Sequence, residues 1–206
     1  MNSDWAAENL RTIRTLMERS TVYRRALAPI MLASGTLGLL AGIAGLLLPI
    51  TDMPGFGLYW FAVAVSALAM AFLLARRQAL KDREPFWSPP TRRVSQALLP
   101  PLTAGFASAL SVTLAADSDL IGFFAVLCVM FYGCAVHAAG FFMPRGMKLL
   151  GWVFIASSAA GMFALFLLEP EFESAGGHLI MAFFFGLVHL VYGAYLLVTG
   201  KRGQSA

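Results

Sequence analysis

The stretch "GGHLIMAFFFGLVHLVYGAYLLVT", residues 176–199, runs for 24 residues without one Asp, Glu, Lys or Arg. At about 1.5 Å of rise per residue a helix of this length exceeds the roughly 20 residues that cross a bilayer, whereas an uncharged run inside a soluble core is usually shorter. It reads as a transmembrane helix. Five further apolar runs precede it, at about 26–50, 56–75, 95–116, 119–143 and 147–168, charged only at Asp119 and Lys148 beside their ends. The chain as a whole is 59% hydrophobic and 13% charged, against about 25% charged residues in an ordinary soluble domain. Six spans with short connections use up the 206 residues. The expected fold is all-α: a cytoplasmic amphipathic helix over 1–25, a six-helix transmembrane domain over 26–199 and a tail over 200–206. No soluble catalytic domain is left over.

The charges predict the topology. All 15 Lys and Arg residues fall before the first span (Arg11, Arg14, Arg19, Arg24, Arg25), in the second connection (Arg76, Arg77, Lys81, Arg83, Arg92, Arg93), in the fourth (Arg145, Lys148) or in the tail (Lys201, Arg202). The first, third and fifth connections carry only acids: Asp52, then Asp117 and Asp119, then Glu169, Glu171 and Glu173. Basic connections stay cytoplasmic, so both termini are expected inside a bacterial inner membrane. A basic rim facing anionic lipid accounts for the pI of 9.4 without a nucleic-acid partner, since each Lys or Arg near an anionic surface contributes about 1 kcal/mol. Basic residues interleaved with aromatic platforms, which nucleic acid would call for, do not occur. The polar first 25 residues lack the short apolar core of a signal peptide. Cys128 and Cys134 share one predicted span and form no disulfide framework.

The leader "SDWAAENLRTIRTLMERSTVYRR" repeats Ala6, Leu10, Ile13 and Met17 at helical spacing, with Arg11, Arg14, Glu18 and Arg19 on other faces. Such a helix lies in the membrane interface or docks on a partner. The first span contains "SGTLGLLAGIAG", where Ser34, Gly38 and Gly42 recur every fourth residue. Small residues at that spacing let helix backbones approach closely in lipid, either within the chain or between copies in a homo-oligomer. Two octets on later spans, "GCAVHAAG" (133–140) and "GLVHLVYG" (186–193), place a histidine between glycines seven apart. Gly133, Gly140, Gly186 and Gly193 are therefore expected at helix contacts too. Pro100 and Pro101 should distort the cytoplasmic end of the third span.

Spans 1–2, 3–4 and 5–6 read as three repeated hairpins. The first and fifth helices end alike, "AGLLLPI" and "ALFLLEP". The segments "GTLGLLAGIAGLLLP", "GWVFIASSAAGMFALFLLEP" and "GLVHLVYGAYLL" resemble the hairpin repeat of HdeD-like small bacterial inner-membrane proteins, a family linked to acid resistance. The resemblance covers most of the first and third hairpins and implies a threefold hairpin fold and a stress-protection role. The leader "LRTIRTLMERSTVYRR" resembles that of uncharacterised bacterial multi-pass membrane proteins, from which no activity follows. No catalytic residue is carried across by either likeness.

Chemistry inside the spans rests on few groups. With no Asp, Glu, Lys or Arg in their interior, the ionisable side chains there are histidines, cysteines and tyrosines, whereas ion-coupled pumps usually retain a charged residue near mid-membrane. His189 lies near mid-depth on one face with Ala182, Gly186 and Gly193. His137 lies toward the cytoplasmic end with Met130, Gly133 and Cys134. Each is expected to be a structural histidine, its neutral ring needing one donor and one acceptor. A metal or haem site would pair Cys134 and His137 with His189, but the two histidines differ in depth by roughly 9 Å and no carboxylate is at hand to orient them. No metal and no cofactor is therefore assigned. His178, at the outer mouth near Glu169, Glu171 and Glu173, is expected to be a solvated loop histidine; the alternative is a group that titrates as the surroundings acidify. Ser157 or Ser158 with His189 would make a rhomboid-like dyad, but the G-x-S-G motif is replaced by "ASSAAG".

The expected function is non-enzymatic: an integral inner-membrane protein for interaction, signalling or stress protection, with lipid and a protein partner or second copy as its contacts. A small-solute transporter or substrate-binding membrane subunit is the alternative, and a metal- or haem-binding membrane protein the lesser one.

Overall fold

The structure is a computed structural model that describes residues 3–83, 85–143, 145–168 and 174–202. Every regular element is helical: α1 (Ser3–Leu47), α2 (Met53–Lys81), α3 (Pro89–Ala115), a 3₁₀ turn (Ser118–Leu120), α4 (Ile121–Ala139), α5 (Arg145–Leu168), α6 (Ser174–Met181), a π-helical segment (Ala182–Val188) and α7 (His189–Arg202). Among the described residues six helical stretches are long and apolar enough to cross a membrane, the sixth being Ser174–Thr199, which joins α6, the π segment and α7. The chain is an all-α polytopic membrane protein.

Local chemistry accounts for the helix starts. Asp52 caps α2, its carboxylate accepting from the Gly55 N–H at 3.1 Å, with Pro54 in the first turn where its missing N–H costs nothing. The Asp117 carboxylate accepts from the Asp119 N–H at 3.1 Å and starts the 3₁₀ turn that leads into α4. Despite Pro100 and Pro101, α3 is continuous from Pro89 to Ala115. The Thr103 hydroxyl folds back onto the Leu99 and Pro100 carbonyls, each at 2.9 Å. The leader does not form a helix of its own: α1 runs from Ser3 through Pro29 to Leu47, so leader and first span are one helical element. The side chains of its amphipathic face, Ala6, Leu10, Ile13 and Met17, lie outside the described residues, as do Glu169, Glu171 and Glu173 and the end of the tail.

Helix packing is organised by α4 and by the sixth span. Half of the apolar window of α4 is buried inside the protein, against 6% of that of α2. Close pairs form between α1 and α2, α3 and α4, α4 and α5, and between the sixth span and both α1 and α4. The third sequence hairpin is thus not the tight unit that the first two are. α5 lies along α4, while the sixth span is seated on α1 and α4. Two apolar clusters fill the interior. One, toward the end carrying Asp52, Asp117 and Asp119 (the acidic end), contains Met53, Phe56, Trp60, Ile121, Phe124 and Met181. The other, toward the basic end, contains Leu27, Met31, Val136, Met147, Leu150 and Phe154. Large apolar side chains such as Leu47, Leu114 and Phe166 stand exposed around the perimeter, where lipid takes the place of water.

Candidate functional site

The glycines bring the helices into backbone contact. A Cβ on Gly38 would strike the Phe185 carbonyl, one on Gly42 would strike Ala182, and one on Gly35 would lie 2.8 Å from the Leu190 nitrogen. From the opposite side, a Cβ on Gly186 would lie 2.8 Å from the Leu39 backbone and one on Gly193 2.9 Å from the Leu32 side chain. Gly38, Gly42, Gly186 and Gly193 therefore serve one contact, α1 against the sixth span, within a single chain. Ser34, the first member of that row, is only half-buried. Gly133 and Gly140 meet α5 instead, at Phe154 and Lys148, and Gly151 of α5 lies on the His137 backbone. Close approach of this kind gains dispersion contact where apolar lipid supplies no hydrophobic drive.

These contacts bury two of the three histidines. His189 is 2% exposed and has both ring nitrogens engaged. The Tyr132 hydroxyl of α4 lies 2.6 Å from Nε2, and the Phe184 carbonyl lies 2.9 Å from Nδ1. A carbonyl can only accept, so Nδ1 carries the hydrogen and Nε2 accepts from Tyr132. Phe184 belongs to the π-helical segment that ends beside His189, and such segments leave carbonyls off the regular i−4 ladder. The rings of Tyr132, Phe154 and Phe185 enclose the imidazole at 5.3, 5.6 and 6.1 Å between centroids.

His178 is not the solvated loop histidine expected from the sequence: it lies within α6 and is the more buried of the two, at 1% exposure. The Trp60 indole N–H of α2 donates to its Nδ1 at 3.1 Å. An indole nitrogen can only donate, so Nδ1 is unprotonated and the hydrogen of the neutral ring sits on Nε2. That Nε2 is buried and has no hydrogen-bond partner among the described residues. Phe56, Tyr59 and Trp60 surround the ring at 4.7, 5.6 and 5.9 Å, and a Cβ on Gly45 would fall on the imidazole itself. The Tyr59 hydroxyl is committed to the Ala41 carbonyl of α1 at 2.5 Å. The two histidines of the sixth span thus hold opposite tautomers, His178 tied to α2 and His189 to α4.

His137 is half-buried at the basic end. Its Nδ1 is 3.4 Å from the Lys148 carbonyl, and Phe141 and Trp152 meet it edge-on at 5.5 and 5.2 Å. Lys148 Nζ sits 3.7 Å over the Phe141 ring, a cation–π contact. Cys134 is a free, half-buried thiol. Cys134, His137 and His189 do not converge: among the described residues no three His, Cys, Asp or Glu side chains lie close enough to hold a metal ion. Nor is a Ser–His dyad formed. The Ser158 hydroxyl donates to the Ile155 carbonyl at 3.0 Å, while both His189 nitrogens are taken.

The partners Trp60, Tyr132 and Tyr59 were absent from the sequence candidates. A signal for two of them exists in "FGLYW" (56–60), where Phe56, Tyr59 and Trp60 fall on one helical face. For Tyr132 the signal is a phenol in an uncharged span, whose hydroxyl needs a partner once buried. No family model, no curated protein and no solved structure matches the chain.

Proposed function

We propose that this chain is a non-enzymatic multi-pass protein of a bacterial inner membrane, with both termini cytoplasmic, acting by interaction, signalling or stress protection. One observation carries the reading: α1 is a single helix in which the polar leader continues into the span that packs, through Gly35, Gly38, Gly42 and Gly45, against the helix bearing His178 and His189. The 23 residues of α1 before Ala26 correspond to about 34 Å of helix at about 1.5 Å per residue. A helix that continues out of the span without a break supports docking on a protein partner, or on a second copy, over lying flat on anionic lipid. The sixth span's histidines are engaged in holding helices together, which supports a structural or signalling interior over a catalytic one.

Deletion of residues 1–20 tests this. The truncated protein should still insert in the membrane and lose the partner recovered by cross-linking from the full-length chain. Full recovery of the same partner by the truncated form would overturn the proposal. The buried Nε2 of His178, which has no partner among the described residues, favours, as a second reading, a membrane subunit that binds a small solute through a hydrogen-bond acceptor. Mass spectrometry of a denatured extract of the purified protein distinguishes it: a stoichiometric organic molecule, lost in His178→Ala, would establish that reading.

A further inference from the structure

We infer that the Trp60–His178 hydrogen bond is a proton-operated latch between α2 and the sixth span, closed only while the His178 imidazole is neutral. The inference follows from what each atom can do. Trp60 Nε1 is a donor in every state, so the bond exists only while His178 Nδ1 offers a lone pair. A proton arriving from water takes that lone pair as its N–H bond and turns Nδ1 into a second donor facing the indole. The bond breaks, and Trp60 loses its acceptor. His189 behaves differently. Its Nε2 partner is a hydroxyl, which both donates and accepts, so Tyr132 can turn its lone pair toward a protonated ring and stay bonded. Of the two histidine ties on the sixth span, only the one at the acidic end opens on protonation.

The surroundings of His178 supply no counter-charge among the described residues. Among the described residues neither ring nitrogen has a carboxylate partner. From α1 the ring meets Gly45, and from α2 the rings of Phe56, Tyr59 and Trp60, of which Tyr59 alone is titratable, with its hydroxyl held by Ala41. Neighbouring Gly177 meets Ile121 of α4 and Phe56. Of the other titratable groups that the sequence places at this end, Cys128 packs against the apolar cluster, Asp52 is engaged with the Gly55 N–H, Asp117 with the Asp119 N–H, the Asp119 side chain is exposed in the 3₁₀ turn, and Glu169, Glu171 and Glu173 lie outside the described residues.

The mechanical consequence lies in α2. Its buried residues are Met53, Phe56, Gly57 and Trp60 near one end and Ala79 near the other, with none between. The attachment of α2 is therefore concentrated in its first two turns, where Trp60 makes the polar tie to the sixth span. With the latch open, Tyr59 still holds α2 to α1, so the change falls between α2 and the sixth span. Gly45, in contact with the His178 ring, places α1 where it would sense that change.

The test uses the full chain in lipid nanodiscs, labelled with ¹⁵N at the Trp indoles and the His rings. At neutral pH the His178 ring should show its hydrogen on Nε2, and that of His189 on Nδ1. As pH is lowered through the histidine range, from about 7.5 to about 4.5, the Trp60 indole resonance should shift reversibly while that of Trp87, whose ring neighbour is Phe86 and not a histidine, keeps its position; Trp152 packs on the His137 ring and is not used as a reference. Trp60→Phe assigns the resonance. His178→Gln retains an accepting carbonyl at every pH and should abolish the shift. A hydrogen on Nδ1 of His178 at neutral pH would overturn the latch, a reading that needs no variant to fold. A Trp60 resonance that does not move, or moves equally in His178→Gln, would do the same, as would all indoles moving together in a global transition.

Discussion

Tyr132 and His189 are joined hydroxyl to imidazole at 2.6 Å, and the other nitrogen of the same ring reaches the Phe184 carbonyl at 2.9 Å. A single side chain thereby ties the sixth span to α4 and caps an irregular turn of its own helix. Tyr132→Phe leaves the shape of the site intact and removes the donor, so His189 Nε2 is left buried with nothing to accept. Interhelical hydrogen bonds in membranes average about 0.6 kcal/mol and reach about 1.7, and the unpaired nitrogen places this one toward the upper value. Tyr132→Phe should lower the unfolding free energy in mixed micelles by about 1–2 kcal/mol. A loss below a few tenths would show that the bond contributes nothing.

The number of spans and the fold class were legible because an uncharged run of bilayer length admits few other structures. Gly38, Gly42, Gly186 and Gly193 were legible as small faces, yet nothing in the sequence paired Gly38 with Phe185 or Gly186 with Leu39. Pairing is decided by which helices are neighbours, a long-range property. The seating of the sixth span on α1 and α4, and not along α5 as sequence hairpins suggest, is the clearest case. The π segment was equally hidden, since "AFFFGLV" (182–188) has no composition that marks it. Its formation puts Phe184 and His189 in register, and that register is read only in three dimensions.

Two glycine substitutions separate close packing from helix propensity. Gly38→Ala places a methyl on the Phe185 carbonyl, a backbone atom that cannot turn aside. α1 and the sixth span must move apart, at a cost of about 1–3 kcal/mol. At Gly161 the nearest atoms to an added Cβ are the Val126 methyls at 3.4 and 3.7 Å, ordinary contact distances. Gly161→Ala should therefore be neutral or stabilising by up to about 1 kcal/mol, the helical preference of Ala over Gly. Unfolding of the two variants, measured side by side in the same micelles, should move in opposite directions or in one direction for Gly38→Ala alone.

Gly45→Ala addresses the acidic end without altering a polar group. Its methyl would occupy the space of the His178 imidazole, so the ring must rotate or withdraw and its alignment with Trp60 is lost. The Trp60 indole resonance of this variant at neutral pH should already sit away from its wild-type position and respond little to acid. Gly42→Ala, whose methyl meets Ala182 and not an imidazole, should loosen the same helix pair while leaving that resonance pH-sensitive. Identical spectra for the two variants would mean that the indole reports helix separation and not the hydrogen bond.

The proposed orientation follows from charge alone and is open to a direct check. With every Lys and Arg in the leader, the second and fourth connections or the tail, and Asp52, Asp117 and Asp119 in the first and third connections, placing the basic connections outside would set their known bias against the whole chain at once. A fluorescent-protein fusion after residue 206 should fold and fluoresce in the cytoplasm. Alkaline phosphatase, active only after export, should be active when fused after Asp117 and inactive when fused after Arg83. Moving charge should matter in proportion to its number. Neutralising Arg145 and Lys148 leaves 13 basic residues, 11 in the leader and second connection and two in the tail, to hold the orientation, so those fusions should be unchanged. Neutralising those 13 as well should yield mixed activities at every site. Phosphatase activity after Arg83 in the unaltered chain would reverse the assignment and put His178 and its Trp60 latch on the cytoplasmic side.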